Sequence, residues 1–206
     1  MVVFVTGGSG CGKSAFAESV AQKLNKEAGA RREENASSKA SGEAGENRLI
    51  YVATMPIFNE DDLIKVERHH KLRAGKGFET LERPKLLTEI PGGGETVLVE
   101  CMSTHTANML YDPDLVLEDD KDGEKALAAI RKEIGELCNR EGSTVFVSAE
   151  IALDGVEHDP EMEKYKRVMT AVNCFLMERA DAAYEVVYGI PVALKGAKWE
   201  DGGEPS

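Results

Sequence analysis

The chain has 206 residues, with 25 Lys and Arg against 37 Asp and Glu, a formal net charge of −12. That balance excludes a generic nucleic-acid binder, which presents a basic field to phosphates; 42% hydrophobic and 30% charged residues exclude a disordered body. The length suits a single domain able to bury a full core without staples.

In chain order, Val2-Val3-Phe4-Val5 is a continuous apolar run ending at Thr6-Gly7-Gly8. It predicts a strand buried on both faces, as in a parallel sheet. A helix is expected over residues 13–26, with Ala15, Phe16, Val20 and Leu24 at helical spacing. Residues 29–48 contain no Val, Ile, Leu, Met, Phe, Trp or Tyr. Such a stretch offers little burial against its ordering entropy, so it reads as a mobile surface insertion. Leu49-Ile50-Tyr51-Val52-Ala53-Thr54 predicts a second strand, and residues 60–73 a helix with Leu63, Val66 and His70 along one side. Strands follow at residues 96–100 and 144–148, separated by an amphipathic helix over 123–140. A long helix over 160–180, strands at 184–188 and 192–194, and a frayed tail over 196–206 complete the reading. Alternating strands and helices argue for an α/β layered fold with a mostly parallel sheet, in one domain over 1–195.

No apolar run approaches the roughly 20 residues that span a bilayer, and the amino terminus lacks an export signal, so a cytoplasmic protein without a membrane span is expected. Cys11, Cys101, Cys138 and Cys174 are dispersed, which points to free thiols rather than a zinc or redox motif.

Gly7-Gly8-Ser9-Gly10-Cys11-Gly12-Lys13-Ser14 satisfies G-x-x-x-x-G-K-[ST] between a buried strand and a helix, the context this phosphate-binding motif requires. Glycines let successive N–H groups turn toward phosphate oxygens, and the helix N-terminus adds its positive end. Lys13 is expected to reach the β and γ phosphates, and Ser14 to offer its hydroxyl to Mg²⁺. Glu100, closing Val97-Leu98-Val99, stands where a P-loop enzyme carries its metal-holding acid; the plainer alternative is a strand-end carboxylate in solvent. Glu150 occupies a similar place one strand later and is the less specific of the two.

His69-His70 lies among Lys65, Arg68, Lys71 and Arg73. Adjacent helical residues project about 100° apart, which disfavours shared metal ligation. Nucleophilic attack on phosphorus needs only one imidazole, largely neutral at pH 7 with an ordinary pKa of ~6.5. His70 follows Val66 by four and Leu63 by seven, on the inward face, whereas His69 falls with Lys65 and Asp62.

Taken together, Val5-Thr6-Gly7-Gly8, Tyr51-Val52-Ala53-Thr54, His69-His70-Lys71, Phe78-Glu79-Thr80-Leu81-Glu82-Arg83-Pro84, Glu100-Cys101-Met102-Ser103-Thr104, Asn108-Met109-Leu110, Val172-Asn173, Ala180-Asp181 and Val186-Val187-Tyr188-Gly189-Ile190-Pro191 resemble a known family. It is the bifunctional adenosylcobinamide kinase/adenosylcobinamide-phosphate guanylyltransferase of cobalamin biosynthesis, and the resemblance runs to about residue 195, leaving out 29–48.

The resemblance implies a P-loop NTPase-like α/β sandwich and a transferase with GTP and ATP as substrates and Mg²⁺ as cofactor. A nucleoside triphosphate phosphorylates the aminopropanol hydroxyl of adenosylcobinamide; GTP then passes GMP through a histidine to the cobinamide phosphate. That histidine precedes the aromatic-x-Thr-x-Glu stretch by eight positions, which selects His70 before Phe78, the residue that the helix face also selects. Nucleotide contacts are implied for Gly7, Gly8, Ser9, Gly10, Cys11, Gly12, Lys13, Ser14, Glu82 and Glu100, with Ser14 and Glu100 on the metal. A homotrimer with its site between neighbours is also implied. The chain departs from the family pattern at Ser9-Gly10-Cys11, where an arginine is common, at Phe78 in place of Trp, and at Ala149-Glu150-Ile151-Ala152 in place of Asn-Glu-Val-Gly. The alternative reading is a P-loop kinase or nucleotidyltransferase acting on another small molecule.

Overall fold

The structure is a computed structural model, and it describes residues 1–37, 48–56, 64, 67, 75–90, 93–111, 120–151, 155–156, 158–196 and 198–199. Along the chain run β1 (Val2–Thr6), α1 (Lys13–Ser37), β2 (Leu49–Ala53), β3 (Phe78–Glu82), a 3₁₀ turn (Leu87–Glu89), β4 (Thr96–Glu100), α2 (Met102–Tyr111), α3 (Glu124–Asn139), β5 (Ser143–Val147), α4 (Pro160–Arg179), β6 (Ala182–Val187) and β7 (Ile190–Lys195).

Seven strands form one sheet in the order β3-β2-β4-β5-β1-β6-β7. Every neighbouring pair is parallel except β6 with β7, which is antiparallel. The apolar runs are continuous because both faces are covered. Val3, Val5, Tyr51, Leu98, Val145, Val147 and Tyr184 pack with Ala17, Val20 and Leu24 of α1. Phe4, Ile50, Val52, Val97, Val99 and Phe146 pack on the other face with α2, α3 and α4. Alternate residues of each strand therefore feed two separate cores, and a period-2 polar pattern is absent from the central strands.

Local signals place the helices. At α4, Pro160 occupies the first turn and the Asp159 carboxylate accepts the Met162 N–H at 3.0 Å. Gly123, at φ +74, opens α3, where an added Cβ would stand 2.8 Å from Val168 Cγ2 and 2.9 Å from Leu110 Cδ2.

Two expectations change, and two elements are added. The first helix continues past residue 26 to Ser37, so residues 29–37 of the predicted insertion are helical, and Arg32 donates to the Gly94 carbonyl at 2.6 Å. Burial alone is the wrong criterion there, because Ala, Glu and Arg are strong helix formers whatever they bury. The tail is not wholly frayed: Trp199 packs edge-on against Phe16 at 5.5 Å and Tyr184 at 6.2 Å, with Lys23 Nζ 4.4 Å from its ring centre. One aromatic of that area outweighs the ordering of a short segment. β3 goes beyond the sequence reading, being an edge strand of polar and apolar residues mixed. So does α2, whose Ser103, Thr104 and Thr106 are weak helix formers, although Met102, His105, Thr106, Met109 and Leu110 are buried at helical spacing. In the helix expected over 60–73, Ile64 and Glu67 are helical and exposed; the rest, His69 and His70 included, lies outside the described residues.

Candidate active site

The phosphate loop joins the carboxyl end of β1 to the first turn of α1, with β5 on one side of β1 and β6 on the other. Gly7, Gly10 and Gly12 hold φ of +148°, +68° and +93°. At Gly7 the requirement is also steric, since an added Cβ would lie 2.6 Å from the Val186 carbonyl oxygen. The Gly7 carbonyl accepts the Glu150 N–H at 3.3 Å, the Cys11 carbonyl accepts the Gly189 N–H at 2.8 Å, and the Gly12 carbonyl accepts the Phe16 N–H at 3.1 Å as the helix begins. The loop is thus braced by the ends of β5 and β6. Ser9 and Gly10 are exposed, and the Cys11 thiol packs toward the α1-side core.

Lys13 Nζ donates to the Gly8 carbonyl at 2.9 Å, so its ammonium lies over the loop where phosphate oxygens would compete for it. The Ser14 hydroxyl donates to Glu100 Oε1, and the Tyr51 hydroxyl donates to Glu100 Oε2 at 3.0 Å. Strand register adds Glu82: it pairs with Ala53, and Ala53 pairs with Glu100. Partners in one parallel row point to the same face, and Ala53, Val5, Val147 and Tyr184 of that row or its continuation pack on the α1 side. Glu82 and Glu100 therefore stand two strands apart, about 10 Å, on the face that carries Lys13 and Ser14.

Just beyond this row is a hydrogen-bonded hub. Thr54 is fully buried; its Oγ1 donates to the Cys101 carbonyl at 2.9 Å and accepts the Cys101 N–H at 2.8 Å. Asn108 Nδ2 donates to the carbonyls of Thr54 at 2.9 Å and Pro84 at 2.8 Å, joining the ends of β2 and β3. Beneath it, buried His105 meets Glu133 Oε2 through Nε2 at 2.7 Å. Tyr165 donates to the Ser103 carbonyl at 3.0 Å, and burial pushes its hydroxyl up to about 12, so it stays a donor at neutral pH. At the end of β5, Ser148 donates to Asn173 Oδ1 at 2.7 Å and Asn173 donates to the Ala149 carbonyl at 3.1 Å.

Of the residues expected at the site, the structure brings the phosphate loop, Lys13, Ser14 and Glu100 together and sets Glu82 on the same row. Glu150 contributes its main chain to bracing the loop. Phe78 sits at the opposite end of β3 from Glu82 and packs edge-on to Tyr51 at 5.9 Å. Reasoning from the chain alone misses Tyr51, Thr54 and Asn108 as supports; their signal is a hydroxyl or amide beside a strand end, visible only once the strand order is known.

A hydroxyl and a carboxylate in contact are hard oxygen donors of the kind that hold Mg²⁺, which completes its octahedron with water and substrate phosphates rather than a protein cage. The residues fit that ion. No group of three or more His, Cys, Asp or Glu placed for a metal occurs among the described residues. A cavity of about 660 Å³ opens from the loop, lined by residues 8–12 and by 185–189 of the β6–β7 hairpin.

No helix among the described residues is long and apolar enough to cross a membrane. No curated protein matches the chain in sequence. Among solved structures, an ATPase domain is similar at a TM-score of 0.43 and 11% identity, over 89% of this chain and 68% of that one. Residues 3–194 match the family described as CobU, "Cobinamide kinase / cobinamide phosphate guanyltransferase". With nearly the whole chain matched, this protein belongs to that family of transferases of cobalamin biosynthesis.

Proposed function

We propose that the phosphate loop, Ser14 and Glu100 hold the donor nucleotide for both transfers, and that His70 carries GMP between them. The observation that supports this most is the contact of Ser14 with Glu100 beside Lys13, with Glu82 on the same row of the sheet. In the kinase step the aminopropanol oxygen of adenosylcobinamide attacks the γ-phosphorus of ATP or GTP. The bond from that phosphorus to the β–γ bridging oxygen breaks, the nucleoside diphosphate leaves, and the alcohol proton is lost.

In the second reaction an imidazole nitrogen of His70 attacks the α-phosphorus of GTP and pyrophosphate departs. A phosphate oxygen of adenosylcobinamide phosphate then attacks the same phosphorus, the N–P bond breaks, and the histidine is restored. Splitting the displacement gives two in-line transfers, each helped by charge fixed in advance at the loop. Lys13 supplies a cation that follows the β and γ oxygens, and the loop N–H groups supply donors that need no reorganisation. Mg²⁺, held by Ser14 and Glu100, would neutralise phosphate charge and align it. Glu82 serves the nucleotide from the end of β3, two strands from Glu100. A homotrimer in the cytoplasm completes the proposal; light scattering on the purified protein checks the trimer, and fractionation of cells checks the location.

The test is incubation with α-labelled GTP and Mg²⁺, then separation under denaturing conditions. The expected product is protein-bound label that is acid-labile and base-stable, as a phosphoramidate is, and that is missing from His70→Ala. Equal labelling of His70→Ala and wild type overturns the histidine assignment, and no label in either overturns the covalent route.

A further inference from the structure

The cavity beside the phosphate loop has a second wall that the transfers above leave unused. It is residues 185–189 of the β6–β7 hairpin, and at about 660 Å³ the space matches the size of ordinary small-molecule sites. The hairpin is tied to the loop by Gly189 N–H on the Cys11 carbonyl at 2.8 Å, and an added Cβ on Gly12 would stand 3.4 Å from Gly189 Cα. At its tip Tyr188 is 96% exposed. Its φ of +50°, with Gly189 at +82°, is the one that a two-residue hairpin turn between β6 and β7 requires. The fold thus holds a bare aromatic ring at the rim of the nucleotide cavity.

Strand order gives the direction in which a bound triphosphate runs. β4, which ends in Glu100, lies two places from β1 on one side; β6 adjoins β1 on the other. The Ser14–Glu100 contact marks the β,γ-phosphate end, so a nucleotide stretched along the loop carries its nucleoside away from β4, toward β6 and β7. We infer that Tyr188 is a nucleobase-stacking residue, receiving the purine ring of the nucleoside triphosphate on its face. The inference rests on the phosphate-loop reading above. Stacking on a ring face does not discriminate between purines, so ATP and GTP both gain from it.

Calorimetric titration with Mg²⁺ and GTP, supplied as its α,β-methylene analogue so that no GMP passes to His70, and separately with Mg²⁺ and inorganic tripolyphosphate, tests it on wild type, Tyr188→Ala, Tyr188→Phe and Tyr188→Leu. Alanine has the same reluctance toward positive φ, so the backbone cost is shared. Expected is a fall of about 10-fold in GTP affinity for Tyr188→Ala and Tyr188→Leu, with tripolyphosphate affinity unchanged and Tyr188→Phe within about twofold of wild type. Wild-type GTP affinity in Tyr188→Ala overturns the inference, including the case in which oligomeric mass changes instead. So does restoration by leucine, or a parallel fall for both ligands. Wild type that binds neither ligand overturns the phosphate-loop reading itself, whereas wild type that binds both while Tyr188→Ala matches it removes only the stacking.

Discussion

The Ser14 hydroxyl donates to a Glu100 carboxylate oxygen across 86 positions of chain, and the Tyr51 hydroxyl holds the other oxygen at 3.0 Å. One carboxylate is thereby aimed by the first turn of α1 and by β2 at once. Ser14→Ala and Glu100→Gln are each expected to slow both transfers by on the order of 10²–10³-fold, the scale of losing a preorganised electrostatic group. Chelation of Mg²⁺ with excess EDTA should do the same to wild type. Tyr51→Phe leaves the carboxylate in place and should cost only about 2- to 10-fold. Initial rates with labelled nucleotide check all four, and equal effects of Tyr51→Phe and Glu100→Gln would contradict the aiming role.

Lys13 donates to the Gly8 carbonyl at the exposed surface of the loop. Lys13→Ala should therefore abolish nucleotide binding and both activities while changing unfolding free energy by no more than about 0.5 kcal/mol. Parallel calorimetry and urea melts separate the two effects.

His105 is fully buried against Glu133, itself 5% exposed. His105→Leu strands a carboxylate in the core, and a loss of about 3–5 kcal/mol is expected. Glu133→Gln keeps an oxygen acceptor for the ring and should lose less. Urea melts of the two variants give the ranking, and the reverse order would refute the account.

Asn108 satisfies the carbonyls of Thr54 and Pro84 with one amide group. Asn108→Ala orphans the Thr54 carbonyl and leaves the Pro84 carbonyl only the His105 Nδ1 contact at 3.4 Å, at about 1–3 kcal/mol of stability. It should also raise KM for GTP, because the strand ends that bear Thr54 and Glu82 lose their common anchor. Steady-state kinetics at a temperature where the variant remains folded tests that coupling.

Trp199 is the sole tryptophan, and its partner Phe16 lies three residues past Lys13. Its fluorescence should change on GTP binding, without any added probe. Trp199→Ala should cost about 1–2 kcal/mol through lost aromatic packing. Removing residues 198–206 should cost the same amount, whereas removing 200–206 alone should not, and thermal melts of the truncations distinguish a packed Trp199 from a frayed one.

Local chemistry along the chain carries much of the fold. β1, β2, β4 and β5 are legible because a strand buried on both faces must be apolar throughout, and Val2–Thr6 followed by Gly7-Gly8-Ser9-Gly10-Cys11-Gly12-Lys13-Ser14 is a contiguous site whose geometry its own glycines dictate. α3 and α4 are legible for a similar reason, through periodicity and through Asp159-Pro160. By contrast, α2 and β3 carry weak propensities and form because Met102, Met109 and Leu110 are needed in the core and because β2 offers an open edge. The order β3-β2-β4-β5-β1-β6-β7 is a property of the assembled sheet, and with it comes every functional relation between distant residues. The row joining Glu82, Ala53 and Glu100, the grip of Tyr51 on that carboxylate, and the approach of Tyr188 to the phosphate loop depend on register between strands far apart in the chain. Pairing of that kind is set by the burial of whole faces. The phosphate-binding chemistry is therefore written in one short contiguous stretch, and what surrounds it follows from how the sheet packs.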